Sequence, residues 1–146
     1  MTNRHRYWEE VEVGDALGPV AFPLPLYRLV MAAGANRDFN SIHHNTELAR
    51  ASGASDAYAN YNFLLGMWER ALREFAGPAA RLRSIRGLRM KFFNVAGDTP
   101  VVRGEVLRKW EDGTECLVEF RVYTESAGRI TVGPGEAIVA LPRISA

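Results

Sequence analysis

Cysteine is almost missing from this chain. Cys116 is the only one in 146 residues, so no intrachain disulfide can form, and a reducing cytoplasmic setting is expected. It stands in the strand-like run TECLVEFRVY, which favours a buried, inert thiol over a nucleophile. Charge of one sign is missing as well. Eighteen Lys and Arg against 17 Asp and Glu leave a formal +1, without the basic excess that non-specific nucleic-acid binding requires. No segment is long and apolar enough to span a bilayer. MTNRHRYWEE lacks the apolar stretch of a signal peptide, so none is expected. Repeats, low-complexity tracts and linkers are absent too, which points to one domain over residues 1–146.

Against these absences, 47% hydrophobic and 24% charged residues describe an ordinary globular chain. WEEVEVGDALGPVAFPL reads as an extended entry, with Gly14-Asp15 and Gly18-Pro19 as turns. In PLYRLVMAAGAN, Leu26, Leu29, Val30 and Ala33 fall at helical spacing before the stop signals Gly34 and Asn36. NTELARASG predicts a short helix capped by Asn45 or Thr46 and ended by Gly53. The strongest helix signal runs over about 56–76, capped by Ser55 or Asp56 and ending at Gly77-Pro78. Its first half, Ala57 to Trp68, is apolar nearly all round, as in a helix buried on more than one side. Trp68 and Met67 are expected in the core. Four strand-like runs follow: ARLRSIRGLRMKFF, TPVVRGEVLRKWED, TECLVEFRVYTES and RITVGPGEAIVALP. Asp98, Asp112-Gly113 and Ala127-Gly128 punctuate them, and such short connections predict antiparallel pairing. GPGE has no helix after it and reads as a bulge or turn rather than a phosphate loop. A long helix followed by a curved antiparallel sheet is an α+β plan.

Two of the three histidines sit in RDFNSIHHN, residues 37–45, a stretch with neither helical nor strand periodicity. It reads as loop or a single helical turn. Asp38 precedes His43 by five positions, with Asn40 between them and His44 directly after. A carboxylate and an imidazole within reach of one water can exchange its protons. The bland alternative is Asp38 as a helix cap and His43 as a hydrogen-bonded core residue. Adjacent side chains seldom converge on one point and no third ligand stands at suitable spacing, so His43 and His44 do not suggest a metal site. His44 is expected in a supporting position or on the surface.

These elements, in this order, resemble the hotdog fold, and more closely the MaoC-like (R)-specific enoyl-CoA hydratases. The family's loop motif D-x-N-P-x-H corresponds to Asp38-Phe39-Asn40-Ser41-Ile42-His43. EEVEVGD is similar to its N-terminal segment, and NVAGDTPVVRGEV to its G-D-T strand opening. Three positions depart from the pattern. Arg37 stands where the family has glycine, Ser41 where it has proline, and Asn60-Tyr61 where it has His-Gly at the start of the central helix. Together with AGPAARLRSIRGLR, these departures resemble the small hydratase subunit of actinobacterial steroid side-chain degradation.

The resemblance implies addition of water across the 2,3 double bond of an enoyl-CoA thioester, with a steroid side-chain ester as one candidate. It assigns the shared water to Asp38 and His43, loop ordering to Asn40, and the oxyanion donor to the backbone N–H of Tyr61, with the Asn62 side chain as an alternative. Coenzyme A would arrive as part of the substrate, with no separate cofactor. Within the run Arg81, Arg83, Arg86, Arg89 and Lys91, the last three are candidates for its phosphates, and a solvated strand face is the competing reading. The expected partners are an acyl-CoA substrate and a second chain, either another copy or a different MaoC-like subunit joined edge to edge. A hotdog thioesterase would need an acidic residue on or near the central helix; Glu69 and Glu74 lie on its amphipathic half, where they are expected to face solvent. A non-catalytic subunit of a heteromeric hydratase is the third reading.

Overall fold

Four strands from the second half of the chain and one from the N-terminal stretch build one antiparallel sheet, in the order β1-β3-β4-β5-β2. The structure, a computed structural model, describes residues 5–144. The strands are β1 (Ala16–Ala21), β2 (Arg81–Arg86), β3 (Val101–Asp112), β4 (Glu115–Ser126) and β5 (Arg129–Leu141). β3, β4 and β5 form a meander joined by the tight turns at Gly113-Thr114 and Ala127-Gly128. Central β4 buries Val118, Phe120 and Val122 on alternate positions while Arg121 faces out, the period-2 signature of a sheet with one covered face.

Three helices complete the fold: α1 (Leu26–Ala35), α2 (Thr46–Ala51) and α3 (Tyr61–Ala76). α3 lies across the sheet, with Leu64, Met67, Trp68, Ala71, Leu72 and Ala76 buried against it. Trp68 is fully buried, and its indole N–H donates to the Thr124 hydroxyl at 2.8 Å. A buried aromatic with a satisfied polar tip is worth several kcal/mol, and truncating it to Ala typically costs about 3–5. Register shifts in every strand pair bend the sheet around the helix. One surrounds GPG in β5, where a Cβ on Gly133 would stand 3.0 Å from the Trp68 ring. The glycine is what lets the indole pack there.

Several expectations need correcting. The N-terminal stretch supplies β1, and Gly18-Pro19 is a bulge inside that strand, not a turn. The run from Ala80 to Phe93 forms a ladder only over β2, with an isolated bridge from Met90 to Val132 beyond it. α3 begins at Tyr61 rather than near 56. Ala57–Ala59 are buried because they are an extended segment, with Ala59 N–H bonded to the Asn94 carbonyl (3.0 Å) and Ala96 N–H to the Ala57 carbonyl (2.8 Å). The apolar run that looked like a helix buried all round is therefore two elements, and α3 itself exposes Tyr61, Asn62, Gly66, Arg70 and Arg73. α1 buries Leu29 and Ala33 but leaves Leu26 and Val30 partly exposed. Cys116 is buried as expected. Among the described residues, no helix is long and apolar enough to cross a membrane.

Candidate active site

Local backbone chemistry places the first site residue. α1 ends in a pair of crossed hydrogen bonds, Arg37 N–H to Gly34 O (3.1 Å) and Asp38 N–H to Ala33 O (2.9 Å). This closure requires a left-handed residue at its centre, and Arg37 adopts it with φ 54°. α2 ends in the same way, with Gly53 at φ 96° and Ala54 N–H bonded to Ala49 O. The chain then leaves Asp38 half-exposed at the site's edge.

Asn40 orders the next turn. Its side-chain oxygen accepts from Ile42 N–H at 3.3 Å and starts a 3-10 turn over Ser41–His43, while its own N–H reaches Asp38 Oδ1 at 3.4 Å. The turn carries His43 inward. The ring is buried, 5.3 Å edge-on from the Tyr58 ring, which stacks 4.4 Å from Phe93. His44 points to solvent.

The imidazole is wired at both ends. Nδ1 lies 2.7 Å from the Tyr58 carbonyl, and Nε2 lies 3.2 Å from Asp38 Oδ2. A carbonyl only accepts, so Nδ1 carries a hydrogen. In the neutral ring Nε2 is then bare, facing a carboxylate that also only accepts. The contact closes when one proton enters it, or when a water donates to both. Segment 57–59 thus serves the site twice, through the Tyr58 carbonyl and by leading into α3.

At the start of α3, Asn60 takes the capping role expected of Ser55 or Asp56. Its Oδ1 accepts from Phe63 N–H (2.9 Å) and from the Asn36 amide (3.3 Å). Asp56 instead accepts from the Thr46 hydroxyl (2.5 Å) and Ala57 N–H (2.7 Å), and these two bonds, the hydroxyl first, hold its carboxyl below the usual range. Tyr61 is the first helical residue, and its N–H has no hydrogen-bond partner among the described residues. That is the orphan donor at a positive helix end. The Tyr61 and Asn62 side chains are exposed.

The basic candidates do not form one patch. Arg81 and Arg83 both face Glu115. Arg86 lies by Arg121 and Glu136 in a cavity of about 330 Å³, whereas Lys91 lines another of about 470 Å³, and Arg89 is exposed and lines neither. Glu69 and Glu74 are spent in surface ion pairs with Arg73 and Arg70, each at 2.8 Å.

No family model matches the chain. Over 94 residues it is 37% identical to the 3-oxo-4,17-pregnadiene-20-carboxyl-CoA hydratase beta subunit of Mycobacterium tuberculosis, covering 62% of this chain and 72% of that one. The ChsH1-ChsH2 complex from the same organism superposes with a TM-score of 0.79 at 30% identity, over 90% of this chain and 98% of the matched one. This chain belongs to the MaoC-like hydratase family. A MaoC-like dehydratase from Rhodospirillum rubrum shares the fold, with a TM-score of 0.81 at 19% identity over 97% and 99% of the two chains.

For a MaoC-like chain, the departures from the loop motif acquire physical content. Arg37 occupies a left-handed position that suits the family's glycine. Ser41 opens the 3-10 turn without proline. Asn60 keeps a side-chain cap on α3, and Tyr61 keeps the N–H that a glycine would offer. Sequence reasoning missed the Tyr58 carbonyl, a backbone group with no residue signature. It also missed Asn36, whose stop-signal position gave no hint of its bond to Asn60.

Proposed function

We propose that this chain is the Asp38/His43 half-site of an enoyl-CoA hydratase acting on a steroid side-chain thioester. The observation that carries the reading is the orientation of His43. The Tyr58 carbonyl holds the proton on Nδ1, so Nε2 and Asp38 Oδ2 present two acceptors toward one place. A water there donates to this pair. As its oxygen attacks the β-carbon, one of its protons passes to the pair, and a proton from the pair then reaches the α-carbon, so that H and OH are added in sum. Negative charge grows meanwhile on the thioester oxygen. The unpaired Tyr61 N–H at the positive end of α3 is the donor suited to it.

The substrate class is supported by the relative of 37% identity, whose name specifies a pregnadiene carboxyl-CoA. The ChsH1-ChsH2 complex supports a second MaoC-like chain as partner. Phe39, Tyr61, Tyr27 and Met31 are exposed on the site loop and its flanking helices, which fits a site finished by another chain. The test is a hydration assay on straight-chain and steroid enoyl-CoA thioesters, with the chain alone and co-expressed with a neighbouring MaoC-like subunit. Hydration of the steroid thioester by the complex is expected. A complex that binds the thioester but does not hydrate it would overturn the reading.

A further inference from the structure

Asparagine caps a helical segment at Asn40, Asn45 and Asn60, and each side-chain oxygen accepts a backbone N–H from the first turn. Asn40 and Asn45 are exposed, so their spare amino groups meet water. Asn60 is only 4% exposed, and its Nδ2 is buried without a hydrogen-bond partner among the described residues. The orientation of this amide is fixed, because Phe63 N–H at 2.9 Å can only donate and so selects the oxygen. A buried donor left unpaired costs free energy. Capping alone does not require that cost, since serine, threonine or aspartate would accept the same N–H.

The same oxygen has a second donor, the Asn36 amide at 3.3 Å. Asn36 closes the C-terminal end of α1, two residues before Asp38. Among the described residues, no other hydrogen bond joins α1 or its cap to α3 or its cap. The far side of the site loop is held by Tyr58, whose N–H donates to the Ile42 carbonyl (3.4 Å) and whose carbonyl takes His43 Nδ1 (2.7 Å). Residues 58–60 therefore grip the loop at both ends, Tyr58 at His43 and Asn60 at the turn that leads into Asp38. The next residue, Tyr61, carries the unpaired N–H at the positive end of α3. One short segment registers the acid–base pair against that donor.

Two demands then meet at position 60. The oxygen must reach Phe63 N–H and Asn36 together, and a serine or threonine hydroxyl sits one bond nearer the backbone. The cap must also be neutral. A carboxylate has the reach, but its charge would stand one residue from the N–H that faces negative charge growing on the thioester oxygen. Asparagine satisfies both demands and leaves one buried amino group over. Building on the enoyl-CoA hydratase reading, we propose that Asn60 is a positioning residue for hydration: through Asn36 it sets the Asp38 end of the dyad against the Tyr61 N–H, and it does so as an uncharged cap.

The test is steady-state hydration of the steroid enoyl-CoA thioester, with thermal melting of each variant, on the full chain co-expressed with its MaoC-like partner. Asn36→Ala changes an exposed side chain and leaves the α3 cap in place. It should lower kcat roughly tenfold and leave KM and Tm near wild type. Asn60→Ser keeps the cap and withdraws the reach, so it should lose a similar factor. The double variant should lose no more than either single one, because both remove the same bond. Asn60→Asp keeps the cap, the length and the acceptor for Asn36. It should still lower kcat about tenfold or more at unchanged KM, since the ground-state carbonyl carries little of the charge that the transition state does. A purely structural pair would move Tm and leave kcat per folded site alone. Wild-type kcat in Asn36→Ala or in a folded Asn60→Asp, or losses that multiply in the double variant, overturns the inference while the wild-type rate keeps the hydratase reading intact. Should Asn60→Asp fail to fold, Asn36→Ala and the double variant still decide. A wild-type assembly that hydrates no thioester removes the hydratase reading and this inference with it.

Discussion

His43 illustrates how one side chain is specified by what each of its atoms can bond. The Tyr58 carbonyl selects the tautomer, and Asp38 then faces the only nitrogen left to exchange a proton. His43→Ala is expected to lower hydration by about 10²–10⁴-fold, the usual contribution of a positioned acid–base group, while His44→Ala, at an exposed position, changes it little. Steady-state kinetics on folded protein check both, and equal damage from the two would assign the chemistry to the wrong histidine. Asp38, Asn40 and His43 were legible in the sequence because a short loop carries three chemistry-bearing residues in a known order. Arg37 was legible only as a departure. Its left-handed backbone, φ 54°, costs an L-residue roughly 1 kcal/mol or more that glycine does not pay. Arg37→Gly should therefore be at least as stable as wild type in chemical denaturation, against the usual trend of substitutions. A clear loss of stability would show that the arginine side chain holds the loop.

At the scale of elements, the strands of the meander were readable because alternation and turn residues act over a few positions. The start of α3 was not, since it depends on partners far along the chain. Ser55, Asp56 and Asn60 are all good caps, and the pairing of 57–59 with 94–96 decides among them. Asp56 is left to tie α2 to this segment through Thr46. Its depressed pKa means that its contribution to stability is present above the ordinary carboxylate pKa and is lost as pH falls through the lower folded value. Thr46→Val removes the larger cause, so an NMR titration should show the Asp56 pKa move up. No movement would mean that the Ala57 N–H alone holds it. Gly66 makes the opposite case. It lies inside α3, yet a Cβ there would meet nothing within 4 Å. Gly66→Ala should stabilise the isolated chain by about 1 kcal/mol, the helix-propensity difference, raising Tm. A lower Tm would reveal crowding on that face.

For the whole molecule, the fold was legible as one helix laid on a curved antiparallel sheet, but the degree of enclosure was not. Burial of α3 on one face only, with Tyr27, Met31, Phe39 and Tyr61 exposed on the site loop and its flanking helices, is a property of how elements meet and leaves no mark in periodicity. It fits the proposed reading, in which hydration belongs to an assembly. The most direct measurement is therefore the hydration rate of a steroid enoyl-CoA thioester by the chain co-purified with its MaoC-like partner, wild type against Asp38→Asn. The amide keeps the size of the carboxylate but donates an N–H to His43 Nε2 and ties up the base. The account predicts a rate lower by about 10²–10⁴-fold, with assembly and thioester binding unchanged. A wild-type rate from the intact Asp38→Asn assembly would contradict it.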